Sequence, residues 1–134
     1  MARSPLPRLR TACLALPQAY EKLSHGEPTF WAGKKMFACF ADASNHHGNG
    51  RHGVWVKSTH VTQDMLVTRW PERYFVPPYV GVSGWVGIYL DGATDWDAVA
   101  ERLSDGYRLV APKKLLKELA SAAPTPVRRR SARR

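Results

Sequence analysis

Five basic side chains in the middle of the chain have the type and setting that suit contact with phosphate groups. They are Lys34, Lys35, Lys57, Arg69 and Arg73. The first two belong to a predicted hairpin, and the last two flank the dipeptide Trp70-Pro71. Hairpins with such cations can hold phosphates, which position a nucleic acid without reading its sequence. The alternative is a solvated polar surface, because all 11 acidic residues also lie between residues 11 and 120.

A second basic group closes the chain. Residues 121–134 contain no acid and five arginines, which are Arg128, Arg129, Arg130, Arg133 and Arg134. This segment has almost no apolar mass with which to offset the entropy of ordering its backbone, so it is predicted to be disordered. It would neutralise phosphates in a nucleic-acid complex, or it would act only as a solubilising end.

The distribution of charge decides how the pI of about 10.0 is interpreted. The net charge is +9, and residues 1–10 and 121–134 account for eight of the positive charges. The region between them is therefore nearly neutral. A high pI favours a nucleic-acid partner, and here that argument belongs mainly to the two ends of the chain.

The five tryptophans permit two interpretations. They would stack on nucleic-acid bases beside lysine and arginine, or they would fill the core. Trp55, Trp85 and Trp96 follow strand or helix spacing and are predicted to be core residues, whereas for Trp31 and Trp70 both interpretations stay open.

Patterns for catalysis and metal binding are weak. The chain has no glycine-rich phosphate loop, nucleophile elbow or metal-hydrolase motif, so we expect a protein that is not an enzyme and has no cofactor. The loop of residues 45–52 offers three imidazoles that suit zinc or nickel. Adjacent histidines among glycine and asparagine have no preset geometry, so a flexible loop without a metal site is the favoured interpretation.

Composition also bounds the environment of the protein. Cys13 and Cys39 have no metal or redox spacing and are predicted to be buried thiols of a reducing compartment. No apolar run of about 18 residues occurs, so no membrane span and no membrane partner are expected. We expect a cytoplasmic monomer.

Hydrophobic periodicity predicts the elements. A first helix carries Leu6, Leu9, Cys13 and Leu16 on one stripe, and a further helical turn with Tyr20 and Leu23 ends at Gly26. A helix over 62–69 has Thr62 as its N-cap. The remaining predictions are a helix that begins at residue 94 or 95, a helix over 113–120, and strands over 28–32, 35–41, 53–57, 74–76 and 84–90.

Two strands have predicted faces. Over 35–41, Met36, Ala38 and Phe40 share one face and Phe37 and Cys39 the other.

Over 84–90, Val86 and Ile88 share one face and Trp85 lies on the other. Trp85 is predicted to be buried in the core, because Gly84 and Gly87 leave room for its ring.

The order α-βββ-α-ββ-α-α indicates an α+β domain, with an antiparallel sheet of about five strands and helices packed on one face. The predicted boundaries are a basic arm over 1–8, one domain over 9–120 and the tail over 121–134.

Seven short segments follow one another over about residues 9–120. They are HGEPTF (25–30), GKKMFA (33–38), VWVK (54–57), PPYVG (77–81), GWV (84–86), DW (95–96) and YRLVAPK (107–113). In this order they resemble the MmcQ/YjbR family, small bacterial single-domain proteins described as DNA-binding. The resemblance implies a frataxin-like α+β fold and a role with DNA. Iron binding of the frataxin type would need clustered acids on the first helix, which instead carries Arg8 and Arg10, so no iron site is expected.

Two functions from different classes are therefore carried forward. The first is weak, largely sequence-nonspecific binding of duplex DNA through the basic hairpins and ends. The second is a protein- or small-ligand-binding module, in which the segment YFVPPY (74–79) forms an exposed apolar rim on a neutral domain.

Overall fold

The computed structural model describes residues 4–44 and 50–122. Within these residues, the antiparallel sheet has six strands in the order β1-β2-β3-β4-β6-β5. The strands are β1 Tyr20–Ser24, β2 Glu27–Ala32, β3 Lys35–Ala41, β4 Gly53–Val56, β5 Tyr74–Phe75 and β6 Val86–Tyr89. The helices are α1 Leu6–Leu14, α2 His60–Arg69, α3 Trp96–Val110 and α4 Lys113–Ala122, and a 3-10 turn covers Val80–Ser83. The predicted α+β class is confirmed.

Strand β1 was not predicted. Its residues were assigned to a helical turn ending at Gly26, because the spacing of Tyr20 and Leu23 fits one face of a helix. In the structure, His25 and Gly26 have φ of 53° and 81° and join β1 to β2 as a two-residue hairpin loop. Positive φ at both central residues is the signature of a type I′ turn, whose twist matches that of antiparallel strands. The sheet therefore gains a sixth strand at its edge.

The predicted faces of β3 were wrong at its beginning. The β2–β3 register shifts between Phe30 and Trp31, so Phe30 pairs with Ala38 while Trp31 pairs with Met36. The extra residue, Phe37, disrupts the two-residue alternation, as a β-bulge does. Phe37 consequently joins the face with Ala38, and Met36 moves to the opposite face.

All four helices pack on one face of the sheet. Fully buried side chains from α1, α2 and α3, among them Leu9, Leu66 and Tyr107, meet strand residues in one apolar cluster. The hydroxyl of Tyr107 also donates to the carbonyl of Pro17 at 2.6 Å, which ties α3 to the segment after α1. The opposite face has a smaller cluster built on Ala41, Trp55 and Trp85.

Several element ends differ from the sequence prediction. Helix α2 begins at His60, and its N-cap is Thr59, whose hydroxyl accepts from the amide of Thr62 at 3.2 Å; the predicted N-cap, Thr62, lies inside the helix. Arg8, assigned to a basic arm, lies in α1 with its guanidinium 5.1 Å from the centre of the Trp96 ring. Helix α4 continues to Ala122, two residues into the predicted tail.

Among the described residues, no helix has the length and apolar character needed to span a bilayer.

Helix α3 packs closely against the sheet at Gly106. A Cβ at this position would lie 2.8 Å from Cγ1 of Val56 and 2.9 Å from the carbonyl oxygen of Lys57. Alanine is the better helix former by about 1 kcal/mol, but the backbone oxygen cannot move aside without shifting β4. We expect Gly106→Ala to lower the free energy of unfolding by about 1–3 kcal/mol through overpacking, as measured by urea denaturation.

The control for this prediction is Ala100→Gly, at an exposed position of the same helix. It should cost about 1 kcal/mol through helix propensity alone. A Gly106→Ala protein more stable than the parent would show that α3 does not depend on this contact.

Candidate functional site

Three of the five predicted basic residues meet at one end of the sheet. Lys34 and Lys35 lie at the β2–β3 turn, and Lys57 directly follows β4. Antiparallel pairing brings these points together, because Ala32 pairs with Lys35 and Ala38 pairs with Val56. We call Lys34, Lys35 and Lys57 the lysine cluster. Its side chains line a cavity of about 460 Å³ together with Ser24, Trp31, Met36, Trp85, Leu109 and Val110.

Arg69 and Arg73 lie at the opposite end of the sheet. Arg69 ends α2, and the carbonyl of the following residue, Trp70, accepts from the amide of Arg73 at 3.0 Å. Arg73 in turn lines a cavity of about 220 Å³ beside Glu72 and Asp91. The structure therefore does not bring these two arginines to the lysine cluster.

The other predicted cations, and two histidines of the predicted loop, lie outside the described residues. The cations are Arg128, Arg129, Arg130, Arg133 and Arg134, and the histidines are His46 and His47.

His52, the last histidine of the predicted loop, is described and has a structural environment. Its Nδ1 accepts from the amide of Ala43 at 3.0 Å, and its ring stacks on Phe40. Within residues 4–44 and 50–122, no group of three or more metal-ligating side chains occurs.

The cations of the lysine cluster differ from Arg10 and Arg51, which both form ion pairs with acidic side chains. Arg10 pairs with Glu21 at 2.6 Å and Arg51 with Asp91 at 2.7 Å. Each pairing lowers the pKa of the carboxyl group, chiefly through the arginine hydrogen bond. In the described part of the chain, no ion pair involves Lys34, Lys35 or Lys57, so their charges are open to an external anion.

A second cavity adjoins the lysine cluster on the face of the sheet opposite the main core. Its volume is about 510 Å³, within the range of about 300–1,000 Å³ typical of small-molecule sites. Its lining is mainly apolar and consists of Ser24, His25, Met36, Cys39, Trp55, Tyr79, Val80 and Trp85. We call it the aromatic cavity. Because Ser24, Met36 and Trp85 line both cavities, the two form one continuous site.

Tyr79 stands at this cavity in a strained backbone conformation. Its φ of 64° and ψ of −67° accompany a 2.7 Å hydrogen bond from the Val80 amide to the Pro78 carbonyl. This is a γ-turn with positive φ, which is rare and strained. Tyr79 is 70% exposed, and its ring centre lies 6.5 Å from that of Trp55.

Gln63 holds the segment that carries Tyr79. Its buried side-chain amide donates to the carbonyls of Gly81 at 2.8 Å and Trp85 at 2.7 Å. Nε2 of His60, one helical turn earlier, lies 2.8 Å from the carbonyl oxygen of Val82. Two side chains of α2 thus fix the path from residue 81 to residue 85, and surrounding structure of this kind is what allows a strained residue to persist.

Comparison with known proteins gives the family. The family model named YjbR matches residues 14–109. The chain belongs to the YjbR family. No curated protein matches. Among solved structures, the crystal structure of the Deinococcus radiodurans protein DR2400, with a domain described as DUF419, is 21% identical and has a TM-score of 0.67. The similarity covers 89% of this chain and 92% of that one, so the two share a fold over nearly their whole length.

Exposure varies along residues 74–79, which lead into the family segment PPYVG. The stretch YFVPPY was predicted to be an exposed rim, but Tyr74 is 3% exposed and Pro77 is also buried. Strand pairing of Tyr74 with Ile88 turns its ring toward the main core. Only Val76, Pro78 and Tyr79 of this stretch are exposed, so sequence reasoning missed that Tyr79 alone reaches the aromatic cavity.

Trp85 is buried as predicted, at 5% exposure. The prediction that Gly87 makes room for the Trp85 ring was wrong, because the ring of Phe75 from β5 fills the space beside Gly87. Trp85 also forms a wall of both cavities. Core packing and ligand contact were alternative predictions for the tryptophans. In the structure, Trp85 is positioned for both, because it is buried and also lines the cavities.

The two cysteines report on access to the aromatic cavity. Burial raises the pKa of the Cys13 thiol, with a smaller contribution from the charge of Glu21. Burial also raises the pKa of Cys39, against a smaller lowering by the hydrogen bond from Thr29. Cys13 is fully buried in the main core, whereas Cys39 is half-buried and lines the cavity.

We therefore expect iodoacetamide to alkylate Cys39 slowly and to leave Cys13 unmodified in the native protein. Because the thiolate is the reactive form and burial raises the pKa, the rate at Cys39 should keep rising with pH beyond the ordinary thiol pKa of about 8.5. Peptide mass spectrometry after timed labelling assigns each site, and in denaturant the two should react alike. Equal native rates would contradict the cavity geometry.

Proposed function

We propose that this YjbR-family protein binds nucleic acid weakly, and largely without sequence preference, through the lysine cluster. The observation that supports the proposal is the meeting of Lys34, Lys35 and Lys57 at one end of the sheet, without an ion pair in the described part of the chain. The proposed activity is binding without a chemical step.

The surroundings of the cluster favour a polyanion. No acidic side chain is among the described residues that line the two adjoining cavities, although the domain as a whole is nearly neutral. Lysine is a point charge that contacts phosphate without the geometric demand of a base contact. Such contacts set the position of the nucleic acid and contribute no sequence discrimination.

The direct test compares two charge-matched variants. Lys34→Ala/Lys35→Ala removes two cations of the cluster, and Arg69→Ala/Arg73→Ala removes two from the opposite end of the sheet. We expect only the lysine variant to weaken binding of a labelled duplex. Its plot of log affinity against log salt should become shallower by about 0.9 for each lost phosphate contact. Fluorescence anisotropy between about 50 and 200 mM salt measures both quantities.

The outcomes separate cleanly. A larger loss in the arginine variant would move the interface to the other end of the sheet. If the full chain does not bind the duplex at about 50 mM salt, the proposal is wrong.

A second prediction concerns the arginine-rich end of the chain. Deletion of residues 123–134 leaves α4 complete and removes five arginines. We expect an unchanged free energy of unfolding, because this composition cannot offset its ordering entropy, and a shallower salt dependence of nucleic-acid binding. Thermal denaturation and the same anisotropy titration measure the two effects. A truncated protein with an unaltered salt slope would assign all phosphate contacts to the domain.

The aromatic cavity favours one alternative, a module that binds a small planar ligand. Its volume and mainly apolar lining suit such a ligand. Titration with free nucleoside monophosphate distinguishes the two functions. Tight binding of the monophosphate, with no binding of a polynucleotide, would favour the small-ligand module.

A further inference from the structure

We infer that the site takes single-stranded nucleic acid, with one unpaired base in the aromatic cavity and its neighbouring phosphates on the lysine cluster. This inference rests on the proposed function and narrows it, because it specifies the form of nucleic acid and assigns the aromatic cavity a role that duplex binding leaves unexplained.

The shape of the site is the first reason. A duplex keeps its base faces stacked inside and offers phosphates outside, so a flat or ridged basic surface is sufficient to bind it. Here the basic surface opens into a concave apolar cavity of about 510 Å³. An apolar recess contributes nothing to phosphate contact. It suits a flat, mainly apolar group, and an unpaired base presents such a face.

The chemistry of the walls is the second reason. Trp55 and Trp85 line the cavity and are each 5% exposed, and Tyr79, which is 70% exposed, lines it beside them. Proteins that bind single strands combine cations that follow the backbone with aromatic rings on which bases stack, and this stacking tolerates any base. The shared wall at Trp85 places the two kinds of contact side by side, as one nucleotide requires.

The conformation of Tyr79 is the third reason. An aromatic residue at φ 64° is strained, and glycine would adopt this turn without a steric cost. The ring also exposes apolar surface that the fold does not bury. Strain of this kind concentrates at sites where the side chain has a task. The task that fits is contact with a ligand in the cavity, since the ring stands at its wall.

The first test compares an oligothymidylate of about 12 nucleotides with a duplex of the same length. Both carry a fluorescent label, and both are titrated with the full chain at about 50 mM salt. We expect the single strand to bind more tightly by about 5- to 150-fold, the range that corresponds to stacking of one base. Equal affinities, or tighter binding of the duplex, would overturn the inference.

The second test uses Tyr79. Tyr79→Ala should lose about 5- to 150-fold in affinity for the single strand and keep its affinity for the duplex, whereas Tyr79→Phe should retain both. Tyr79→Gly provides a variant that suits the turn, and it should be folded and equally weak for the single strand. If Tyr79→Ala and Tyr79→Gly bind the single strand like the parent, or lose affinity equally for both substrates, the inference is wrong.

The lysine variant distinguishes failure of this inference from failure of the proposed function. Lys34→Ala/Lys35→Ala should weaken both substrates, because phosphates are common to them. If this loss occurs and the Tyr79 variants are unaffected, phosphate binding stands and base insertion falls. If the parent protein binds neither substrate, both fall.

Discussion

The alternation of side chains across β4 and β6 is the constraint on which the rest of the structure depends. Val54, Val56, Val86 and Ile88 turn to the helices, and Trp55 and Trp85 turn to the other side. Pairing of Trp55 with Gly87 and of Val56 with Val86 fixes this register. A slip of one residue would send the tryptophans into the helical core and the valines to solvent. This register therefore places both tryptophans on the face of the sheet opposite the main core.

Once the two faces are set, α2 connects them. Leu66 packs in the main core, while Gln63 on the same helix reaches the carbonyls of Gly81 and Trp85. These carbonyls belong to the irregular segment around the 3-10 turn, where the carbonyl of Gly81 also accepts from the amide of Gly84 at 3.0 Å, and side chains help to satisfy buried backbone groups in such segments. The same two bonds that satisfy them also hold Tyr79 near Trp55. The aromatic cavity is therefore a consequence of how a loop is anchored.

Charge is arranged by the same topology. At the end of the sheet with Gly53 and Tyr89, Arg51 pairs with Asp91. The opposite end carries Lys34, Lys35 and Lys57 without such partners among the described residues. The lysine end therefore has a positive local field, although the domain has almost no net charge. A phosphate responds mainly to charges within a Debye length of about 10 Å, so the local field matters more than the net charge.

Local patterns in the sequence determined the element types other than that of β1, the α+β class, the YjbR relationship and the candidate cations. They succeeded where one segment carries its own signal, as with Asp95, whose carboxylate caps α3 by accepting from the amide of Asp97 at 3.1 Å, and with β3, whose bounds agree. They failed where two interpretations share a spacing, as at Tyr20 and Leu23, or where a partner strand imposes a bulge, as at Phe37.

Only the tertiary structure separated Lys34, Lys35 and Lys57 from Arg69 and Arg73 and brought Tyr79 beside Trp55. Strand order and register decide which distant residues share an end of the sheet, and these depend on pairings between segments that no local spacing encodes.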